Sequence, residues 1–219
     1  MQRFQTVLFD LDGTLTDSSS GILGTLKDTL RAYGMEPPPD ARRFIGPPLR
    51  HCFAELLGED LADEAVARYR ARYIAEGLYQ NEVYPGVYTL LERLRAEGLR
   101  LALATSKTIT PTLKILEHFD LARFFDAVAG APDGPARSTK QQVMEQAMAH
   151  FADLDRAATA MVGDRLHDME GAAACGVAAV GVLWGFGSRG ELARYRPVFL
   201  AETPAALADF LCVRPVAGA

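Results

Sequence analysis

Asp10 and Asp12, in the string Asp10-Leu11-Asp12-Gly13-Thr14, close the apolar run Val7-Leu8-Phe9. The run reads as a buried strand, and strand side chains alternate, so both carboxylates leave it on the same side. Two carboxylates aimed into one crevice repel each other. A fold tolerates them only where a cation, a shared proton or hydrogen bonds compensate. An Asp-Gly step is also ordinary turn chemistry, so the string gains its meaning from company. Three further segments supply that company. Leu101-Ala102-Leu103-Ala104 delivers the hydroxyls of Thr105 and Ser106, and Lys140 begins a helix after a loop over 130–139. Met161-Val162 then delivers Gly163-Asp164-Arg165-Leu166-His167-Asp168.

Asp10, Asp12, Asp164 and Asp168, with one lysine and a hydroxyl beside backbone amides, fit phosphoryl transfer. A phosphate dianion needs donors to its oxygens, here the Thr105 hydroxyl, nearby amides and Lys140. Gly13, Thr14 and Ser106 share those strand ends and are expected to bind substrate. A hard cation such as Mg²⁺ takes oxygen ligands and bridges carboxylates to phosphate. Asp10 can then attack phosphorus, because metal and lysine offset the repulsion between two anions. Asp12 is placed to protonate the leaving alkoxide and later to take a proton from water.

Such residues meet only if the chain brings several strand ends to one edge. After the first strand the pattern turns helical. Ile22, Leu26, Leu30 and Tyr33 fall on one face, with Ser19 or Ser20 as cap and Gly34 as stop. Pro37-Pro38-Pro39 breaks the chain, and further helices follow up to about Tyr79. From Pro85-Gly86 strands and helices alternate. Strands are expected over 99–105, 126–129, 159–162, 177–183 and 198–201, with helices over 143–151 and 191–195 among those between. This order predicts an α/β fold with a parallel, doubly wound sheet, whose C-terminal strand ends converge on one edge. Segments 1–15 and 85–219 form the expected core, and 16–84 an inserted all-helical domain.

The four segments resemble the four motifs of the haloacid dehalogenase (HAD) superfamily, over essentially the whole chain. The helical block resembles that family's C1-type cap, and in detail the chain is similar to the phosphoglycolate phosphatase-like branch. The resemblance implies Asp10 as nucleophile through an aspartyl-phosphate, Asp12 as general acid/base, Thr105 as phosphate ligand and Lys140 as the charge-balancing lysine. It implies Mg²⁺ held by Asp10, the Asp12 backbone carbonyl and Asp164, with Asp168 assisting. The run Phe44-Ile45-Gly46-Pro47-Pro48-Leu49 resembles the cap's substrate-facing loop, and Arg50 is a candidate for reading an anionic substrate tail. The expected activity is hydrolysis of small phosphomonoesters, 2-phosphoglycolate first. A 5′-nucleotidase or pyrophosphatase is the near alternative, and a sugar-phosphate mutase or a non-enzymatic phospho-receiver the remoter ones.

The bulk properties agree with a cytoplasmic enzyme acting on a small molecule, as monomer or homodimer. In 219 residues, 49% are apolar and the net charge is −5. That balance gives no electrostatic reason to expect a nucleic acid polymer or an acidic membrane surface. Met1-Gln2-Arg3 runs straight into the first strand, leaving no room for a signal peptide, and no apolar stretch approaches a membrane span. Cys52, Cys175 and Cys212 lack metal-ligand spacing and read as reduced core residues. The four histidines are scattered and form no metal cluster. Lys107 competes with Lys140 for the lysine role, and order along the chain favours Lys140. Gly185-Phe186-Gly187-Ser188-Arg189-Gly190 matches a dinucleotide fingerprint. It comes late and precedes a short helix, so it reads as a flexible loop near the site.

Overall fold

A computed structural model of the chain describes residues 4–46, 48–134 and 138–213. It contains strands β1 (Thr6–Phe9), β2 (Thr16–Asp17), β3 (Glu82–Val83), β4 (Arg100–Thr108), β5 (Ala127–Ala131), β6 (Thr159–Gly163), β7 (Ala178–Val182) and β8 (Phe199–Ala201). The α-helices are α1 (Ser19–Ala32), α2 (Leu49–Leu57), α3 (Glu59–Ala75), α4 (Val87–Ala96), α5 (Ile109–His118), α6 (Lys140–Met148), α7 (Leu166–Cys175), α8 (Arg189–Ala193) and α9 (Pro204–Leu211). The chain divides into two compact units, Met1–Thr16 with Val83–Ala219, and Asp17–Glu82. The two crossings between them are the short paired strands β2 and β3.

The larger unit is an α/β fold around a six-stranded sheet in the order β5-β4-β1-β6-β7-β8. Its strand pairs are all parallel. β1 lies in the centre, with Val7, Leu8 and Phe9 fully buried. That explains its unbroken apolar run, since a parallel strand is covered on both faces. Leu8, Ala102, Ala104 and Met161 of the sheet pack with Val143, Met144, Ala147 and Ala172 of α6 and α7 in one apolar cluster. Order reverses at β1, whose neighbours are β4 and β6. A doubly wound sheet opens its crevice at such a reversal, beyond the strand C-termini.

The smaller unit is helical. α2 and α3 enclose Phe53, Tyr69 and Tyr73, the latter two rings stacked with centroids 5.8 Å apart. Among the described residues, no helix is long and apolar enough to cross a membrane.

Several boundaries differ from the sequence expectation. Ser19 and Ser20 lie inside the first turn of α1, and the carboxylate of Asp17 accepts the Ser19 N–H at 2.9 Å. A carboxylate acceptor two residues earlier answers the exposed amide better than a serine hydroxyl. α6 starts at Lys140, as expected after the loop over 130–139, but stops short of 151. A Thr139–Gln142 capping box fixes that start, and the helix ends at Met148. α8 likewise begins at Arg189, where Ser188 Oγ accepts the Glu191 N–H. β4 runs on to Thr108, through an irregularity that bears on the site.

Candidate active site

The C-terminal ends of β1, β4 and β6 and the start of α6 gather the residues singled out from the sequence. Asp10 follows β1 directly, its N–H donating to the Val162 carbonyl at 2.9 Å on the neighbouring strand. Asp164 follows β6, and Asp168 sits in the first turn of α7. Carboxylate oxygens of Asp10, Asp164 and Asp168 lie within 4.8 Å of one another, all three residues buried. Among the described residues this is the only such group able to hold a metal ion.

Lys140 reaches into the trio from the start of α6. Its Nζ lies 2.5 Å from Asp10 Oδ1 and 2.7 Å from Asp168 Oδ1, with the lysine side chain 4% exposed. Burial acts to lower the Lys140 pKa, but the two carboxylates outweigh it and push it up to about 12. The ammonium therefore stays charged. Burial raises the Asp10 carboxyl to about 6 against the pull of Lys140, with Asp168 adding to the rise. Burial, then Asp168 and Asp10, hold the Asp164 carboxyl well above its ordinary range. Three carboxyl groups share one ammonium in a buried space. The donors are oxygens, the set a hard divalent cation takes.

Asp12 stands apart from the trio. Its Oδ2 accepts from Lys107 Nζ at 2.7 Å, and its Oδ1 is buried with no hydrogen-bond partner. The two lysines that compete in the sequence thus have different carboxylates. Thr105 is buried at the edge of this region, its Oγ1 accepting the Lys107 N–H at 3.2 Å, and Ser106 beside it is exposed.

Gly13 and Thr14 have their donors committed locally. The Gly13 and Thr14 N–H groups donate to the carbonyls of Thr16 at 2.8 Å and Leu11 at 3.2 Å. The Thr14 hydroxyl points to Asp164 Oδ1 at 3.4 Å. These groups brace the turn and Asp164. Gly46 lies in the helical unit, exposed and at φ 106°, and Pro47 after it falls outside the described residues. Arg50, in the same unit, gives Nη1 to Glu59 at 2.8 Å and Nε to Asp63 at 3.0 Å.

The 184–187 segment has a larger part than its sequence suggested. The Phe186 N–H donates to Asp164 Oδ2 at 2.7 Å, and the Trp184 indole N–H to the Thr14 carbonyl at 3.0 Å. A Cβ on either Gly185 or Gly187 would overlap Asp164. The Gly-x-Gly spacing signals close backbone approach, here to a carboxylate-bearing turn.

The family model for haloacid dehalogenase-like hydrolases matches residues 7–182. The chain belongs to that family. It is 40% identical over 216 residues to a 5′-nucleotidase of Pseudomonas aeruginosa, covering 95% of this chain and 96% of that relative. It is 42% identical over 186 residues to tyrosine-protein kinase PtkA of Mycobacterium tuberculosis, covering 84% of this chain but 63% of the relative. Among solved structures, a haloacid dehalogenase-like family hydrolase from Streptococcus pneumoniae has a TM-score of 0.89 and 32% identity, covering 94% of this chain and 98% of that one. Other relatives are named as pyrophosphatase and phosphoglycolate phosphatase. The fold, the family and these relatives make the chain an enzyme of the HAD phosphatase class.

Proposed function

We propose that the protein is a Mg²⁺-dependent phosphatase of small phosphomonoesters, working through an aspartyl-phosphate on Asp10. The observation that carries this reading is the buried Asp10–Asp164–Asp168 trio with Lys140 inside it. Asp10, Asp164 and the Asp12 backbone carbonyl would hold the ion, with Asp168 assisting. Bound there, Mg²⁺ supplies charge that lets a phosphate dianion approach a carboxylate.

The chain's own residues do the rest. Lys140 on Oδ1 keeps Asp10 aimed and leaves its other oxygen for phosphorus. As the new O–P bond forms, the ester P–O bond breaks and Asp12 gives its proton to the departing oxygen. Asp12 then takes a proton from water, the water oxygen attacks phosphorus, and the acyl-phosphate bond breaks to restore the Asp10 carboxylate. Thr105, with the exposed Ser106 next to it, offers hydroxyls to the phosphoryl oxygens.

Nucleoside 5′-monophosphates are the substrate class we favour over 2-phosphoglycolate. Arg50, the expected reader of an anionic tail, is already paired with Glu59 and Asp63. The relative named as a 5′-nucleotidase matches nearly the whole chain. The test is phosphate release from nucleoside 5′-monophosphates, 2-phosphoglycolate and pyrophosphate, with and without Mg²⁺, in wild type and Asp10→Asn. Mg²⁺-dependent release that disappears in the variant is expected. An isomeric phosphate ester without free phosphate would indicate a mutase, and a long-lived phosphoprotein without turnover a receiver. Either result overturns the reading.

A further inference from the structure

A lysine outside the metal trio is built into the site by a feature of the sheet edge. Between β4 and β5, Thr105 pairs with Gly130 and Thr108 with Ala131. Three steps along β4 answer one step along β5, so Ser106 and Lys107 stand outside the ladder. Such irregularities re-aim side chains, and they persist where neighbours make room. Gly130 makes that room, because a Cβ there would lie 2.9 Å from the Lys107 carbonyl oxygen and 3.2 Å from Ile109 Cα. The Lys107 N–H is held by Thr105 Oγ1 at 3.2 Å. The result is a mostly buried ammonium, its side chain 11% exposed, set 2.7 Å from Asp12 Oδ2.

Asp12 is the one carboxylate of the four that does not join the trio. A fourth anionic oxygen donor beside a divalent cation would ordinarily be drawn to it. An ammonium in contact with one oxygen opposes that and holds the carboxylate by that oxygen. Oδ2 is the one held, and Oδ1 is the buried oxygen with no hydrogen-bond partner.

We propose that Lys107 is the positioning residue of Asp12: it holds the carboxylate by Oδ2, away from the Asp10–Asp164–Asp168 cluster, with Oδ1 turned to the leaving group. This rests on the phosphatase reading above and adds to it a residue with its own signature. Loss of Lys107 misplaces a proton donor without removing a phosphate ligand. The loss therefore falls on kcat, and falls hardest on leaving groups that need a proton.

The test compares Lys107→Met and Lys107→Gln with wild type on an alkyl phosphomonoester and on p-nitrophenyl phosphate, each with a Mg²⁺ titration followed by thermal unfolding. In Lys107→Met, kcat on the alkyl ester is expected to fall by about tenfold or more, part of the usual worth of a general acid. The loss on p-nitrophenyl phosphate should be several-fold smaller, with KM for both esters within about threefold of wild type. Mg²⁺ should still raise the unfolding temperature, and at lower concentration than in wild type, since the freed carboxylate can turn to the ion. Lys107→Gln, which keeps a donor, should retain more of the alkyl-ester rate, and it carries the test alone if Lys107→Met does not fold. Equal losses on the two esters, or a loss confined to KM, overturn the proposal and make Lys107 a phosphate ligand. An unchanged kcat overturns it too. A wild-type protein that hydrolyses neither ester instead overturns the phosphatase reading.

Discussion

Gly187 lies against the Asp164 carbonyl so closely that a side chain at 187 would overlap it. The contact joins the loop after β7 to the turn after β6, and the same loop delivers the Phe186 N–H to Asp164 Oδ2. A hydrogen bond to the ionised form is what allows a buried carboxylate to serve as a ligand, because burial and the neighbouring acids push the other way. Gly187→Ala should displace the loop and loosen Asp164. Apparent Mg²⁺ affinity is expected to drop by about tenfold or more, within the range seen when an outer partner of a metal ligand is lost. Titration followed by unfolding temperature measures it, and an unchanged midpoint would count against the bracing role.

Asp10→Asn separates chemistry from folding. The amide cannot attack phosphorus, so turnover should vanish, measured as phosphate release. Stability of the metal-free protein should not fall. Asp10 is buried with like charges beside it, and its raised pKa reports a net penalty on the ionised form. A metal-free variant clearly less stable than wild type in denaturant titration would contradict this.

The same shift sets a pH dependence. Burial pushes the Asp10 carboxyl up to about 6 in the fold, against 3.8 ordinarily. A pKa raised on folding contributes stability that is fully present below the ordinary value and lost as pH rises through the folded one. Asp164 is shifted in the same direction. Metal-free protein should therefore lose stability across this window. Mg²⁺ should give a larger gain in unfolding temperature at about pH 7.5 than at about pH 5, where protons compete with it. Equal gains at both would dispose of the coupling.

Arg50 offers a contrast with the buried lysines. Its two ion pairs are exposed, with the Arg50 side chain 40% accessible. Exposed pairs of this kind contribute little to stability. With its charge already met, Arg50→Ala should leave KM for 2-phosphoglycolate and for nucleoside 5′-monophosphates within about threefold of wild type. A KM for 2-phosphoglycolate raised by ten times or more, with nucleotides unaffected, would restore Arg50 as the reader of a carboxylate.

The residues of this site were legible in sequence because their placement is local. A central strand announces itself by an unbroken apolar run, its end must open on the crevice, and alternation sends Asp10 and Asp12 the same way. The helix–strand alternation after Pro85 was enough for a parallel α/β sheet, and the order of Thr105, Lys140 and Asp164 for the strand ends that carry them. Pairing across the sheet was not legible. Order along the chain favoured Lys140 for the role beside Asp10, where it lies, but the place of Lys107 depends on which strands become neighbours. It depends also on an irregularity beside Gly130 that leaves no periodic trace in β4. The Gly185–Gly187 stretch read as a flexible loop because glycine has two uses, freedom and close approach, and only the packed turn at Asp164 selects the second. Arg50 was ambiguous for a related reason: a charge on a helix is free or neutralised according to partners a turn or more away, here Glu59 and Asp63. Strand ends and turn chemistry are short-range and written in neighbouring residues. Ion pairing and backbone contact are long-range, and only the tertiary structure decided them.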